Sequence, residues 1–145
     1  MSQKQSFSLD APAKKFFACQ LPQHTSNVKG ATDQWMYSDG NCEVCFSQLW
    51  VQGIVVLVSA DGDDLFLDDG TGIIEANGIS KIVKDLFIQK GMYMMVAGQL
   101  RSIGTQDQTQ CPCIKVLKIA DLSNYPHSEA LWMMEVIDAQ SQKNT

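Results

Sequence analysis

The sequence lacks a long apolar run: no stretch approaches the ~20 uninterrupted apolar residues of a bilayer-crossing helix, which excludes a helical membrane span. It also lacks a positive charge excess. With 11 Lys+Arg against 16 Asp+Glu and a formal net charge of −5, its bulk field repels a polyanion at long range, so a grip on nucleic acid through overall basicity is excluded. Catalytic signatures are missing too: there is no G-x-S-x-G, no phosphate-cradling G-x-x-x-x-G-K-[ST] and no H-E-x-x-H. The stretch MSQKQSFSLD has neither the basic-then-apolar character of a secretory leader nor the Arg-rich, acid-poor character of a transit peptide, so an intracellular protein is expected. What is present suits one packed unit: 145 residues, 45% apolar and 19% charged, enough for a single core.

Five cysteines, an odd number, point to free thiols rather than a disulfide framework. Zinc is the sharper alternative. Cys42 and Cys45 have C-x-x-C spacing and Cys111 and Cys113 could add two thiolates, but a second C-x-x-C is missing and C-x-C is a poorer chelating turn. His24 and His127 do not cluster with them. No cofactor is expected.

Along the chain, residues 1–47 read as an irregular N-terminal extension partly packed on the strand-rich region beyond residue 47. Within it Lys14 to Leu21 is a short apolar strand or helical turn, and Pro22 to Asn41 a polar loop. From Gln48 the pattern becomes strands. Leu49 to Val58 is rich in β-branched residues with one interior glycine, Gly53, which marks a bulge or sharp bend. Asp-Gly turns then separate Asp64–Asp68 from its neighbours, and Ile73–Asn77 completes a meander. Ser80 can cap a helix whose apolar residues Ile82, Val83, Leu86 and Phe87 share a face, ending at Gly91. Tyr93–Ser102 and Ile114–Ile119 supply two more strands. An all-β unit with one intervening helix in the order βββ-α-ββ is the order of an OB-fold, a five-stranded Greek-key barrel, here spanning 48–122.

Residues 123–145 form a C-terminal α-helix and short tail: Ser123 or Asn124 can cap, Pro126 suits the first turn and Glu129 is an early acid. Its apolar residues cover too wide an arc for one small barrel. Leu131, Met134 and Ile137 are expected to close the barrel as core, leaving Trp132, Met133 and Val136 as a partner-docking anchor.

The acids Asp61, Asp63, Asp64, Asp68 and Asp69 lack the Gly and final Glu of a calcium loop and read as solvated turns. Single-strand binding needs stacking aromatics and a basic groove. Between Gln48 and Ile119 the aromatics are Trp50, Phe66, Phe87 and Tyr93, and six basic residues face eight acids. Trp50, Phe66, Arg101 and Lys115 are therefore candidates for weak nucleic-acid contact at most. In the fourth strand Met94, Val96, Gly98 and Leu100 point inward, and Met95 points outward, either as adaptable protein-binding surface or packed under the N-terminal segment.

The run Val116-Leu117-Lys118-Ile119-Ala120-Asp121-Leu122-Ser123, followed by Pro126-His127, Glu129, Trp132 and Glu135-Val136, resembles RecQ-mediated genome instability protein 2. Leu49-Trp50-Val51-Gln52-Gly53 is similar to that family's first barrel strand, Tyr93, Met95-Val96 and Gly98 to its fourth, and Pro12, Lys15, Ala18 and Gln20-Leu21 to its N-terminal segment. The resemblance implies a non-enzymatic nuclear OB-fold subunit that pairs with RecQ-mediated genome instability protein 1. The pair would serve, with topoisomerase III alpha and a Bloom-type RecQ helicase, in dissolving double Holliday junctions without crossover. It implies indirect or weak contact with nucleic acid and none with membrane. It further implies that Lys118, beside Asp121, holds the pair to the larger assembly, and that Trp132 and its neighbours lie at the subunit interface. Asp68 to Gly72 and Tyr93 to Ser102 are also similar to the middle subunit of replication protein A, which implies the alternative of a single-strand-binding OB subunit.

Overall fold

A computed structural model describes residues 13–28, 34–41, 43–83, 87–107, 109–125 and 127–141. In chain order it contains β1 (Lys14–Lys15), α1 (Gln20–His24), β2 (Thr25–Asn27), β3 (Trp35–Ser38), β4 (Glu43–Phe46), β5 (Gln48–Val58), β6 (Asp64–Asp68), β7 (Ile73–Asn77), β8 (Tyr93–Ser102), β9 (Cys113–Asp121) and α2 (Ser128–Ser141). Strands β5-β6-β7-β9-β8 are neighbours in that order in the sheet, and β8 pairs back onto β5, closing a five-stranded barrel. The closing pair β7–β9 is parallel, while β5–β6, β6–β7, β5–β8 and β8–β9 are antiparallel. The barrel expected from strand order is therefore present, with the edges joined.

Period-2 alternation fills the interior. Leu49, Val51, Leu65, Leu67, Ile74, Met94, Val96, Ile114 and Val116 are all buried, as alternation on a closed sheet requires. Gly53 marks the place where β5 leaves β8 and takes up β6. A Cβ there would sit 2.7 Å from the Asp68 carbonyl oxygen, so only glycine permits the approach. Bulges between Val55 and Leu57 and between Ala97 and Gly98 supply the extra local twist that helps the ribbon curl.

Two sequence expectations are corrected by the fold. Among the described residues the intervening helix is limited to one 3-10 turn, Ile79–Lys81, held by Asp63, which accepts from the Ser80 amide and hydroxyl. Ile79 is buried, whereas Ile82 and Phe87 are exposed and Phe87 to Gln89 are not helical. At these described positions the apolar side chains have no surface to cover, so they do not repay helix nucleation. Leu86 lies outside the described residues. The Pro22–Asn41 loop, in turn, contains strands. β2, β3 and β4 form a three-stranded antiparallel sheet whose Trp35, Tyr37 and Phe46 join the same core cluster as the barrel, together with Phe16 and Leu21. Phe16 stacks at 4.8 Å from both Tyr37 and Phe46, and the Trp35 indole donates to the Leu100 carbonyl at 3.0 Å. Aromatic content won over the polar residues between them.

The acidic turns behave as expected at Asp61, which accepts from Ser59 and from the Asp63 amide in an exposed turn, and whose carboxyl is lowered mainly by the Ser59 bond. Asp69 departs from that reading. It is buried and accepts from the Ala18 amide at 2.7 Å, the Thr71 amide and hydroxyl, and the Gly72 amide, fastening the N-terminal segment to the β6–β7 turn.

Candidate protein-docking face

Three strands build one outer face of the barrel. Across β5, β8 and β9 the register sets Trp50 beside Ala97 and Lys118, and Gln52 beside Met95 and Ala120. Gln52 ties this face together, accepting from the Trp50 indole at 2.9 Å and donating to the Tyr93 hydroxyl at 3.3 Å. Burial raises the Tyr93 phenol, so it stays a neutral partner there. Met95 is half-buried. Lys118 is exposed and, among the described residues, makes no ion pair. Simple alternation from the buried Ile114 and Val116 would turn Lys118 inward. The bulge that pairs Gly98 with Val116 but Ala97 with Lys118 reverses the parity and sends the ammonium out. Asp121, at the end of β9, accepts from the Ser123 amide, and hydrogen bonds with Ser123 hold its carboxyl below the ordinary range.

α2 begins at Ser128, later than a Ser123 or Asn124 cap would place it, with His127 at φ 73 just before it. Pro126 lies outside the described residues. The helix packs on β1 and β5. Its two apolar faces are the reverse of the expected assignment. Trp132 and Val136 are 1% and 0% exposed, so they face the molecule's own body. Leu131, Met134 and Ile137 are 51%, 65% and 62% exposed, and these form the open stripe. Helical spacing groups each set correctly but carries no sign that says which set faces in. Residue size favours the Trp132 side, because burying an indole removes the largest apolar surface from water. Met133 is partly open, its methyl near Gly70 of the β6–β7 turn.

The opposite outer face, on β6, β7 and the start of β9, is acidic. Asp64 stands beside Asn77 and Lys115, and Phe66 beside Glu75 and Cys113. Asn77 donates to both Asp64 and Glu75 and accepts from the Cys113 thiol. Burial, then the Glu75 charge, pushes that thiol up to about 11. In OB-folds this region is the usual strand platform for oligonucleotides, yet here Phe66 is its aromatic, flanked by carboxylates. Of the four residues considered for nucleic-acid contact, three lie toward the acidic face and Trp50 lies apart. Phe66 and Lys115 lie on the acidic face, Arg101 is exposed near the end of β8, and Trp50 lies on the other face with the Lys15 ammonium 4.8 Å from its ring centre.

The zinc set is not assembled either. Cys45 is exposed on β4 beside the Met36 sulfur, while Cys111 precedes β9 and Cys113 begins it, and among the described residues no three His, Cys, Asp or Glu groups gather as a metal site. Cys42 lies outside the described residues.

The sequence matches the family model of RecQ-mediated genome instability protein 2 over residues 12–140. It is 28% identical to the mouse protein of that name (Mus musculus) over 128 residues, covering 88% of this chain and 81% of the relative. The chicken protein (Gallus gallus) is 29% identical over 131 residues, covering 87% and 90%. Among solved structures, a chain of a replication protein A heterotrimer bound to ssDNA superposes with a TM-score of 0.65 at 18% identity, covering 91% of this chain and 98% of that one. A chain of the S. pombe Stn1-Ten1 complex gives 0.55 at 19% identity, covering 92% and 96%. At these identities the superpositions speak for the OB-fold alone.

Proposed function

The chain belongs to the RecQ-mediated genome instability protein 2 family, a genome-stability OB-fold subunit, and from that premise we propose that it is a non-enzymatic nuclear scaffold working through a second OB-fold chain. The observation that carries this reading is the open stripe of α2, Leu131, Met134 and Ile137, on a helix packed against β1 and β5, with Lys118 on the barrel face that β5 shares and without an ion-pair partner among the described residues. Three large apolar side chains more than half exposed on one helical face match the helix-in-groove mode of recognition. RecQ-mediated genome instability protein 1 is the proposed partner on that stripe. Lys118 and Asp121 then lie at the edge of the pair, where topoisomerase III alpha and a Bloom-type helicase would be engaged to process double Holliday junctions. Trp132 and Val136 support this role from beneath, by seating the helix, and Met95 from the adjoining strand.

Co-expression with RecQ-mediated genome instability protein 1 tests the reading: a stable pair on size exclusion, with topoisomerase and helicase recovered from nuclear extract, is expected. A chain that stays monomeric beside that partner sinks it. The acidic β6–β7 face argues against the single-strand-binding alternative. Tight, salt-sensitive anisotropy of labelled oligo-dT with the isolated chain would restore that alternative.

A further inference from the structure

The buried side of α2 makes close contact but offers no direction. Trp132 Nε1 is buried with no acceptor among the described residues, and Val136 has no polar atom to give. Because both faces of the helix are apolar, burial of the indole favours one side without locking the rotation. Directional bonds must fix it, and they reach the N-terminal segment.

Gln20 and Gln140 form a reciprocal amide pair, at 3.0 Å from Gln20 Nε2 to Gln140 Oε1 and 2.9 Å from Gln140 Nε2 to Gln20 Oε1. The Gln140 amide also reaches the Lys15 carbonyl at 3.4 Å. Behind Gln20 the network continues inward: its Nε2 donates to the Tyr37 hydroxyl at 3.2 Å, and Tyr37 donates to Asp39 at 2.9 Å. Tyr37 is fully buried, so this end is rigid. Nearer the start of the helix, Glu135 accepts from the Lys15 ammonium at 3.1 Å, and the same ammonium sits over Trp50. β1 itself is clipped in parallel to the edge of β5 at Leu49 and Trp50.

We infer that the N-terminal segment is the seat of α2, with Gln20 and Gln140 as a positioning pair, and Lys15 with Glu135 as a second, that fix which apolar face the helix presents. A helix held at two points along its length by groups anchored to Tyr37 and β5 cannot turn about its axis. The region expected to be an irregular extension thereby decides the presentation of Leu131, Met134 and Ile137. This seating is a property of the isolated chain and does not depend on which partner meets that stripe.

Amide hydrogen exchange on the full-length chain tests it. In Lys15→Glu with Gln140→Ala, protection of the α2 amides between Leu131 and Ile137 is expected to fall about tenfold, while β5, β8 and β9 keep theirs. Lys15→Glu alone should lose several-fold, and Lys15→Glu with Glu135→Lys should recover it, because the swap restores opposite charges at the same contact. Unchanged α2 protection in the double variant overturns the inference. So does loss shared equally by the barrel, since that would make these groups general stabilisers, and so does failure of the charge swap to rescue.

Discussion

The two outer surfaces of the barrel share strand β9 and carry opposite chemistry. Where β9 leaves β7, the surface holds Asp64, Glu75 and a cross-linking Asn77, with Lys115 as the flanking cation. A few residues on, after the Leu117 bulge, the same strand lies beside β8 and presents Lys118 next to Trp50, Gln52 and Met95. The acidic surface satisfies its own polar groups internally and offers little to a polyanion. The other presents a cation without an ion-pair partner among the described residues and includes β5, on which α2 packs. Under the proposed function, the OB barrel keeps its fold while binding is carried by a helix outside it rather than by the strand platform, because function lives in the residues mounted on the fold.

The sharpest break of that contrast is Trp132→Ala. Removing a fully buried indole should cost on the order of 3 kcal/mol, concentrated in α2, and proteolysis or exchange should find the helix released while the barrel still melts cooperatively. Loss limited to partner affinity, with α2 as protected as before, would mean that Trp132 faces out. Next in size, Ile137→Glu should leave the isolated chain folded, since the position is open, and weaken the proposed pair by about 2 kcal/mol, roughly thirtyfold, in a titration of the two chains. Lys118→Ala should be smaller still. The pair should form normally on size exclusion, while recovery of the larger assembly falls by about 1 kcal/mol in binding, as expected for one surface cation.

The smallest expected effect belongs to the acidic side. The folded Cys113 thiol is raised from 9.0 to about 11 by burial and Glu75. A group raised on folding favours the folded state below its unfolded value, and that contribution fades as pH rises from about 9 towards 11. Denaturant midpoints should therefore drop modestly over that window, and less in Cys113→Ala. Alkylation at mild pH should label the exposed Cys45 well before Cys113. Equal rates would place Cys113 in solvent and weaken the picture of a closed acidic surface.

Much of this architecture is legible in the residues. Period-2 alternation and the Asp-Gly turns place β6, β7 and β8 at their observed bounds, since both signals are local and need no partner to be read. The helical period of Ile82–Phe87 misleads at its described ends, where Ile82 and Phe87 are exposed. The strands at Trp35–Ser38 and Glu43–Phe46 are hidden by the polar residues around them, although the alternation of Trp35 and Tyr37 is the signal that could have found them.

By itself, then, the sequence determined the strand order, the inward residues of the fourth barrel strand and a C-terminal helix apolar on two sides, and it carried the likeness to a genome-stability family. The first three are set by spacing along the chain, and the last by matching residues. Only the tertiary structure decided which side of α2 is buried, that a bulge turns Lys118 outward, and that Gln20 meets Gln140 across 120 residues. Those outcomes depend on competition between surfaces distant in sequence, where the larger buried area and the better hydrogen-bond geometry prevail, and periodicity carries no information about the competitor.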